Sequence, residues 1–273
     1  MISCPIADGT QSCATGKLIW QADLVHLTNS EVPNWGFAGS PLIRGDLVLY
    51  NVGKAGTALN KDTGKLVWAS GTDVAGYASP VAFHTGKEGG VAFFVAWGIV
   101  ALNPRNGLPL WQHPWDTNFN VNAADPVFSA NMVFLSSNYN RGCALLKISG
   151  VRAEKVWENR NMRNHFNTCV LLDGSLYGND ENTLKCIDFA TGRERWSSRG
   201  IGKGGLIASD GKLIVLSERG ELIVANAAPD KYTELARAKV MGGQCWTHPV
   251  LANGAIYCRS HEGELVCLDV RGK

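Results

Sequence analysis

The chain has 273 residues, 45% of them apolar, with 26 Lys and Arg against 24 Asp and Glu. A net charge of +2 without a basic stripe excludes an electrostatic case for nucleic acid. No apolar run approaches the roughly 18 residues needed to span a bilayer. The first residues also lack the basic start and apolar core of a signal peptide, so the chain as written is expected to be cytoplasmic.

Residues 1–15 show no periodicity and are read as an irregular N-terminal segment, and residues 16–273 as one domain. The domain opens on "GKLIWQADL" (16–24), a turn leading into a strand with Trp20. "GSPLI" (39–43), "GDLVLYN" (45–51) and "ALNKDTGKLVW" (58–68) follow, short apolar-rich strands separated by glycine-containing turns. The order then repeats: "ASPVA" (78–82) and "ALNPRNGLPLW" (101–111), then "ADPVF" (124–128) and "LKISGVRAEKVW" (146–157). "NTCVL" (167–171), "GSLYGND" (174–180) and "CIDFATGRERW" (186–196) form the next copy. A degenerate copy, "GKLIVLSE" (211–218) with "ANAAPDKYTEL" (225–235), places Leu235 where the others have tryptophan. "THPVL" (247–251), "GAIYCRS" (254–260) and "LVCLD" (265–269) close the sequence.

Recurrence at about 40 residues with a period of two inside each copy signals a propeller or solenoid, not helical repeats. Pro41, Pro80, Pro126 and Pro249 share one slot, which suits an inner edge strand where no ladder donor is needed. Each unit therefore reads as a four-stranded antiparallel meander. The phrase Ala-Leu-(Asn/Asp)-x-x-(Thr/Asn)-Gly-x-x-x-Trp, after Ser-Pro-(Val/Leu) and Asp-Gly-x-(Val/Leu)-Tyr, resembles the PQQ-like β-propeller repeat over residues 16–273. The resemblance implies an all-β, six-bladed propeller whose tryptophans lie on outer strands and dock against the next blade. Closure is expected from the N-terminal strand joining the C-terminal blade, with residues 18–24 pairing with 264–269.

In such a meander the variable loops share one face, and variable loops on a rigid scaffold carry function. Alignment on the proline slot places Trp35, Asn120, Asn122, Arg163, Asn164, His165, Lys203, Gln244 and Trp246 around the channel mouth. Amides, aromatics and cations there suit a polar ligand, a peptide or a protein. The resembling proteins include binding propellers of bacterial envelopes, mostly exported, among them a scaffold lipoprotein of the outer-membrane barrel-insertion machinery. The leading expectation is thus a non-catalytic binding propeller. The competing one is a propeller hydrolase of esters or lactones with His165 as general base, since histidine titrates near neutral pH. Calcium stays open as its cofactor, through oxygen donors among Asn120, Asn122, Asp125, Asn164 and Asp180.

The eight cysteines show no CxxC spacing, against zinc-ribbon and c-type haem readings. Quinoprotein dehydrogenases, which the repeat also resembles, clamp their quinone against a disulfide of adjacent cysteines. No two cysteines are adjacent here, so PQQ is not expected as a cofactor.

Overall fold

Alternating apolar residues and glycine turns produce strands almost throughout the computed structural model, which describes residues 7–11, 15–85 and 88–272. Cys4, Cys13 and part of the segment read as irregular lie outside the described residues. Two compact units divide the chain, Met1–Val133 with Leu146–Lys155 and Phe134–Leu145 with Val156–Lys273.

In the first unit β1 (Ala7–Gln11) pairs antiparallel with β2 (Leu18–Asp23) in a sheet of two strands. A single helical turn, α1 (Leu24–Thr28), follows, its first turn capped by the Asp23 carboxylate accepting the His26 amide at 3.0 Å. Next come β3 (Leu42–Arg44), β4 (Leu47–Tyr50), β5 (Thr57–Asn60) and β6 (Leu66–Ala69), paired in chain order. The second meander is β7 (Val81–Thr85), β8 (Glu88–Val95), β9 (Gly98–Leu102) and β10 (Pro109–Pro114). The third is β11 (Val127–Ser129), β12 (Met132–Ser137), β13 (Gly142–Ser149) and β14 (Arg152–Asn159). These two meanders join into one eight-stranded sheet because β10 and β14 pair in parallel at Gln112 and Arg152.

The fourth meander is β15 (Val170–Leu172), β16 (Ser175–Asp180), β17 (Thr183–Asp188) and β18 (Glu194–Arg199). The fifth is β19 (Gly205–Ser209), β20 (Lys212–Leu216), β21 (Glu221–Asn226) and β22 (Glu234–Lys239). A sheet of three strands ends the second unit: β23 (Val250–Ala252), β24 (Ala255–Arg259) and β25 (Leu265–Asp269).

The recurrent tryptophan is explained by a lock between successive blades. The indole N–H of Trp20 donates to the Lys61 carbonyl at 2.7 Å, and that of Trp68 to the Pro104 carbonyl at 2.8 Å. Trp157 donates to Phe189 at 3.2 Å and Trp196 to Ala228 at 2.8 Å. Every acceptor lies in the turn between the third and fourth strands of the following blade. The glycine of that turn supplies both the left-handed backbone and the space. A Cβ on Gly192, at φ +68°, would come within 2.7 Å of the Trp157 ring. Burial of a large aromatic with its donor satisfied is what the repeat conserves from copy to copy within this chain.

Trp111 departs from this scheme. The turn after it in the third blade is the short Ser149-Gly150-Val151, which offers no equivalent carbonyl, and its indole N–H has no partner among the described residues. The ring instead packs at 5.6 Å from Phe83, which stacks on Phe128 at 4.7 Å.

Three sequence expectations are corrected. Among the described residues, 18–23 form a two-stranded sheet with β1 and do not extend the last sheet, and Ala7–Gln11 within the segment read as irregular is a strand. A short hairpin costs far less loop-closure entropy than joining strands some 240 residues apart. The sheets therefore do not reproduce a six-blade count closed by the termini. Trp20 nevertheless fills the anchor slot expected of it. The third correction concerns Leu235. The β17–β18 pair has a bulge after Cys186↔Trp196, and β21–β22 has the same bulge after Val224↔Ala236. Leu235 sits in the bulge, exposed, and Ala236 holds the tryptophan's place.

A candidate partner platform in the second unit

Three segments between blades and the loops facing them build this site. Asn164, buried in the segment leading into β15, is fixed through its amide and both ends of its side-chain amide group. Its amide donates to Ser136 Oγ at 2.9 Å, its Nδ2 to the Asn179 carbonyl at 3.2 Å, and its Oδ1 accepts the Cys169 thiol at 3.1 Å. Asn167 Nδ2 donates to the Lys203 and Gly204 carbonyls at 2.9 and 2.7 Å, tying this segment to the next one. Loop backbone is thus pinned by buried amides, the usual solution where no ladder is available.

Pinning Asn164 and Asn167 sets the two residues between them. His165 Nε2 lies 3.2 Å from the Tyr139 hydroxyl, with the rings edge to face at 5.3 Å. Phe166 packs 4.7 Å from His165 on one side and 4.7 Å from Trp246 on the other. His261 extends the row at 6.3 Å from Trp246. Burial, with the nearby Lys203 charge, pushes the His165 pKa down to about 4, so the ring is neutral at pH 7. Its Nδ1 is buried without a partner among the described residues.

Glu218 holds the polar edge of the row. Trp246 Nε1 donates to Glu218 Oε1 at 2.8 Å, and the Lys203 amide to Oε2 at 3.3 Å. Burial would raise the Glu218 pKa, but hydrogen bonds from Trp246, the Lys203 backbone and Gln244 outweigh it and hold the carboxylate ionised. Arg163 stands apart from the row, bidentate on Asp180 at 2.7 and 3.0 Å, and Lys185 completes that cluster at 2.7 Å. Burial of Asp180 is outweighed by these two cations, which keep its pKa below the usual carboxylate range.

The structure thus brings His165, Lys203, Gln244 and Trp246 together. Arg163 it commits to Asp180, and Asn164 to the backbone. In the first unit Trp35 is exposed and meets the edge of Tyr77 at 5.6 Å. Asn120 is exposed in a left-handed pair with Phe119. Asn122 is fully buried, its Nδ2 reaching the Val95, Ala96 and Trp115 carbonyls at 2.8, 3.3 and 3.2 Å. Sequence reasoning missed Phe166, Tyr139 and Glu218. Tyr139 and Glu218 lie between the second and third strands of their blades and Phe166 between two blades, and the aromatic next to His165 was the available signal.

No three His, Cys, Asp or Glu residues form a group that could hold a metal among the described residues. Three of the oxygen donors weighed for calcium are engaged: Asp125 accepts the Ser79 amide at 2.7 Å, Asp180 takes Arg163 and Lys185, and Asn164 Oδ1 accepts the Cys169 thiol. The six described cysteines are free, and no two cysteines are adjacent in the sequence. No described helix is long and apolar enough to cross a membrane.

A family model described as outer membrane protein assembly factor BamB, of the PQQ_2 type, matches residues 10–198 and 181–272. The chain belongs to this family. It is a PQQ-like repeat β-propeller. The crystal structure of BamB from Moraxella catarrhalis superposes with a TM-score of 0.76 at 18% identity, over 97% of this chain and 79% of that one. A europium-containing methanol dehydrogenase superposes with a TM-score of 0.62 at 11% identity, over 94% of this chain and 72% of that one. At these identities the likeness is one of fold. The quinoprotein alcohol dehydrogenase PedH of Pseudomonas putida is 38% identical over 115 residues. That stretch is 37% of this chain and only 18% of the length of the enzyme.

Proposed function

We propose that this chain is a non-catalytic, protein-binding propeller of the bacterial envelope that holds its partner at the platform of the second unit. The observation that carries this reading is the row His165–Phe166–Trp246, built on loop segments and anchored by Glu218. Aromatic groups locked by their neighbours give contact area at little entropic cost, which is how interface hot spots work. Lys203 and Gln244 supply polar contacts at its edge, as expected of a variable-loop face at a channel mouth. Arg163, committed to Asp180, stands outside the row, and Asn122 and Asn164 hold loops instead of meeting the partner. Trp35 and Asn120 are contacts of the first unit in their own right. The family description as an assembly factor supports binding over catalysis.

Selection of displayed random peptides on the folded protein tests the proposal. Selected peptides should lose binding to Trp246→Ala and His165→Ala while the melting temperatures of both variants stay near wild type. Peptides indifferent to both substitutions would place binding elsewhere. Hydrolysis of nitrophenyl esters, with or without calcium, that vanishes in His165→Ala would replace this reading with an enzyme.

A further inference from the structure

The aromatic row carries negative charge at its Trp246 end. Three carboxylates stand along the segment that bears this tryptophan. Glu218 Oε1 accepts the Trp246 indole N–H at 2.8 Å, Glu262 Oε2 the Gln244 amide at 3.3 Å, and Glu264 Oε2 the Gly242 amide at 3.3 Å. Gly243, at φ +64°, lets the Glu262 carboxylate close onto the backbone in a space that a Cβ would fill. Hydrogen bonds, first from its own backbone amide, hold the Glu262 carboxyl below the usual range, so it is ionised at pH 7.

Elsewhere in this unit carboxylates are matched by cations. Asp180 is held by Arg163 and Lys185, Asp188 by Arg195, and Glu221 and Glu234 by Arg237. Asp173 and Asp230 stand singly in hairpin connections. The Lys203 charge acts on Glu218, but among the described residues no Lys or Arg is within ion-pair reach of Glu262 or Glu264. Unmatched negative charge thus lies beside a half-buried indole whose N–H is already bound.

These groups define what the surface accepts. An indole attracts a cation over its ring face, and a carboxylate on the indole N–H strengthens that by feeding charge into the ring. A planar guanidinium stacks there and still forks onto a carboxylate, which a compact, strongly hydrated ammonium does less well. An acidic segment would be repelled. Resting on the reading of this platform as a protein-binding site, we infer that the partner segment places an arginine over Trp246, its guanidinium directed to Glu262 and Glu264.

The probe for the test is the peptide most enriched on the folded protein from a displayed random library. It is synthesised with each arginine in turn replaced by citrulline, which keeps the planar shape and removes the charge. Calorimetry should show one citrulline peptide binding about tenfold more weakly than its parent. The double variant Glu262→Gln, Glu264→Gln keeps oxygens for the Gly242 and Gln244 amides and should bind both peptides about equally. The citrulline comparison alters only the peptide, so it stands whatever the stability of the variant. A peptide that needs Trp246 but has no arginine, or loses nothing to citrulline, overturns the inference and leaves the protein-binding platform standing. So does a tenfold preference that persists in the double variant. A peptide that binds Trp246→Ala as well as wild type overturns both.

Discussion

Trp196 and Trp111 occupy the same slot of their blades, but only Trp196 has an acceptor for its indole N–H. Replacing each with phenylalanine removes similar apolar area but different hydrogen bonding. Trp196→Phe should cost about 1 kcal/mol more than Trp111→Phe, because it leaves the Ala228 carbonyl unpaired. Urea unfolding of the two variants measures the difference, and equal losses would mean the indole lock contributes nothing. His165 gives a second test at this scale. Its pKa is lowered from 6.5 to about 4 by burial, so below pH 6.5 the unfolded chain binds a proton that the folded chain refuses. Stability from this group is full above pH 6.5 and is lost as the pH falls toward 4. His248, lowered by its own burial, adds to the same window. Asp180 does not, since a depressed carboxylate loses its contribution only near and below its ordinary value of 3.8. The melting temperature should therefore fall between pH 6.5 and 4, and fall less in His165→Gln.

At the scale of elements, the inter-blade segments depend on a few buried amides. Asn122 holds three carbonyls of the second blade and its exit, while its own carbonyl accepts the Tyr77 and Ala78 amides at 2.9 and 3.1 Å. Asn122→Ala should lower stability by about 1–3 kcal/mol, the cost of leaving buried polar groups unpaired. An unchanged denaturation midpoint would show the loop to be held by something else. The strands, their turns and the tryptophan slots were legible in the sequence because period-two patterning and Gly turns are local properties. Leu235 was misplaced because a bulge shifts register by one residue without altering composition. The pairing of β2 with β1 was hidden because Ala7–Gln11 carries no apolar alternation. Asn122 and Asn164 lie in loop segments, but residue type alone does not separate an amide that binds a ligand from one that pins backbone. The Phe166–Trp246 contact joins residues 80 apart, and no spacing rule announces it.

For the whole molecule, the family match and the likeness to BamB give a propeller of PQQ-like repeats, while the side chains at the loops decide what it does. The fold itself is neutral between binding and catalysis. What favours binding is an aromatic row fixed from behind by Glu218 and by pinned loops, with a neutral histidine at its edge. The most direct test is site-specific photocrosslinking in cells, with benzoylphenylalanine at position 166 and at position 236 on the exposed outer strand β22 as control. The account predicts a discrete polypeptide adduct from position 166 that disappears when Trp246→Ala is added, and none of it from position 236. The same adducts from both positions, or none from position 166, would contradict it.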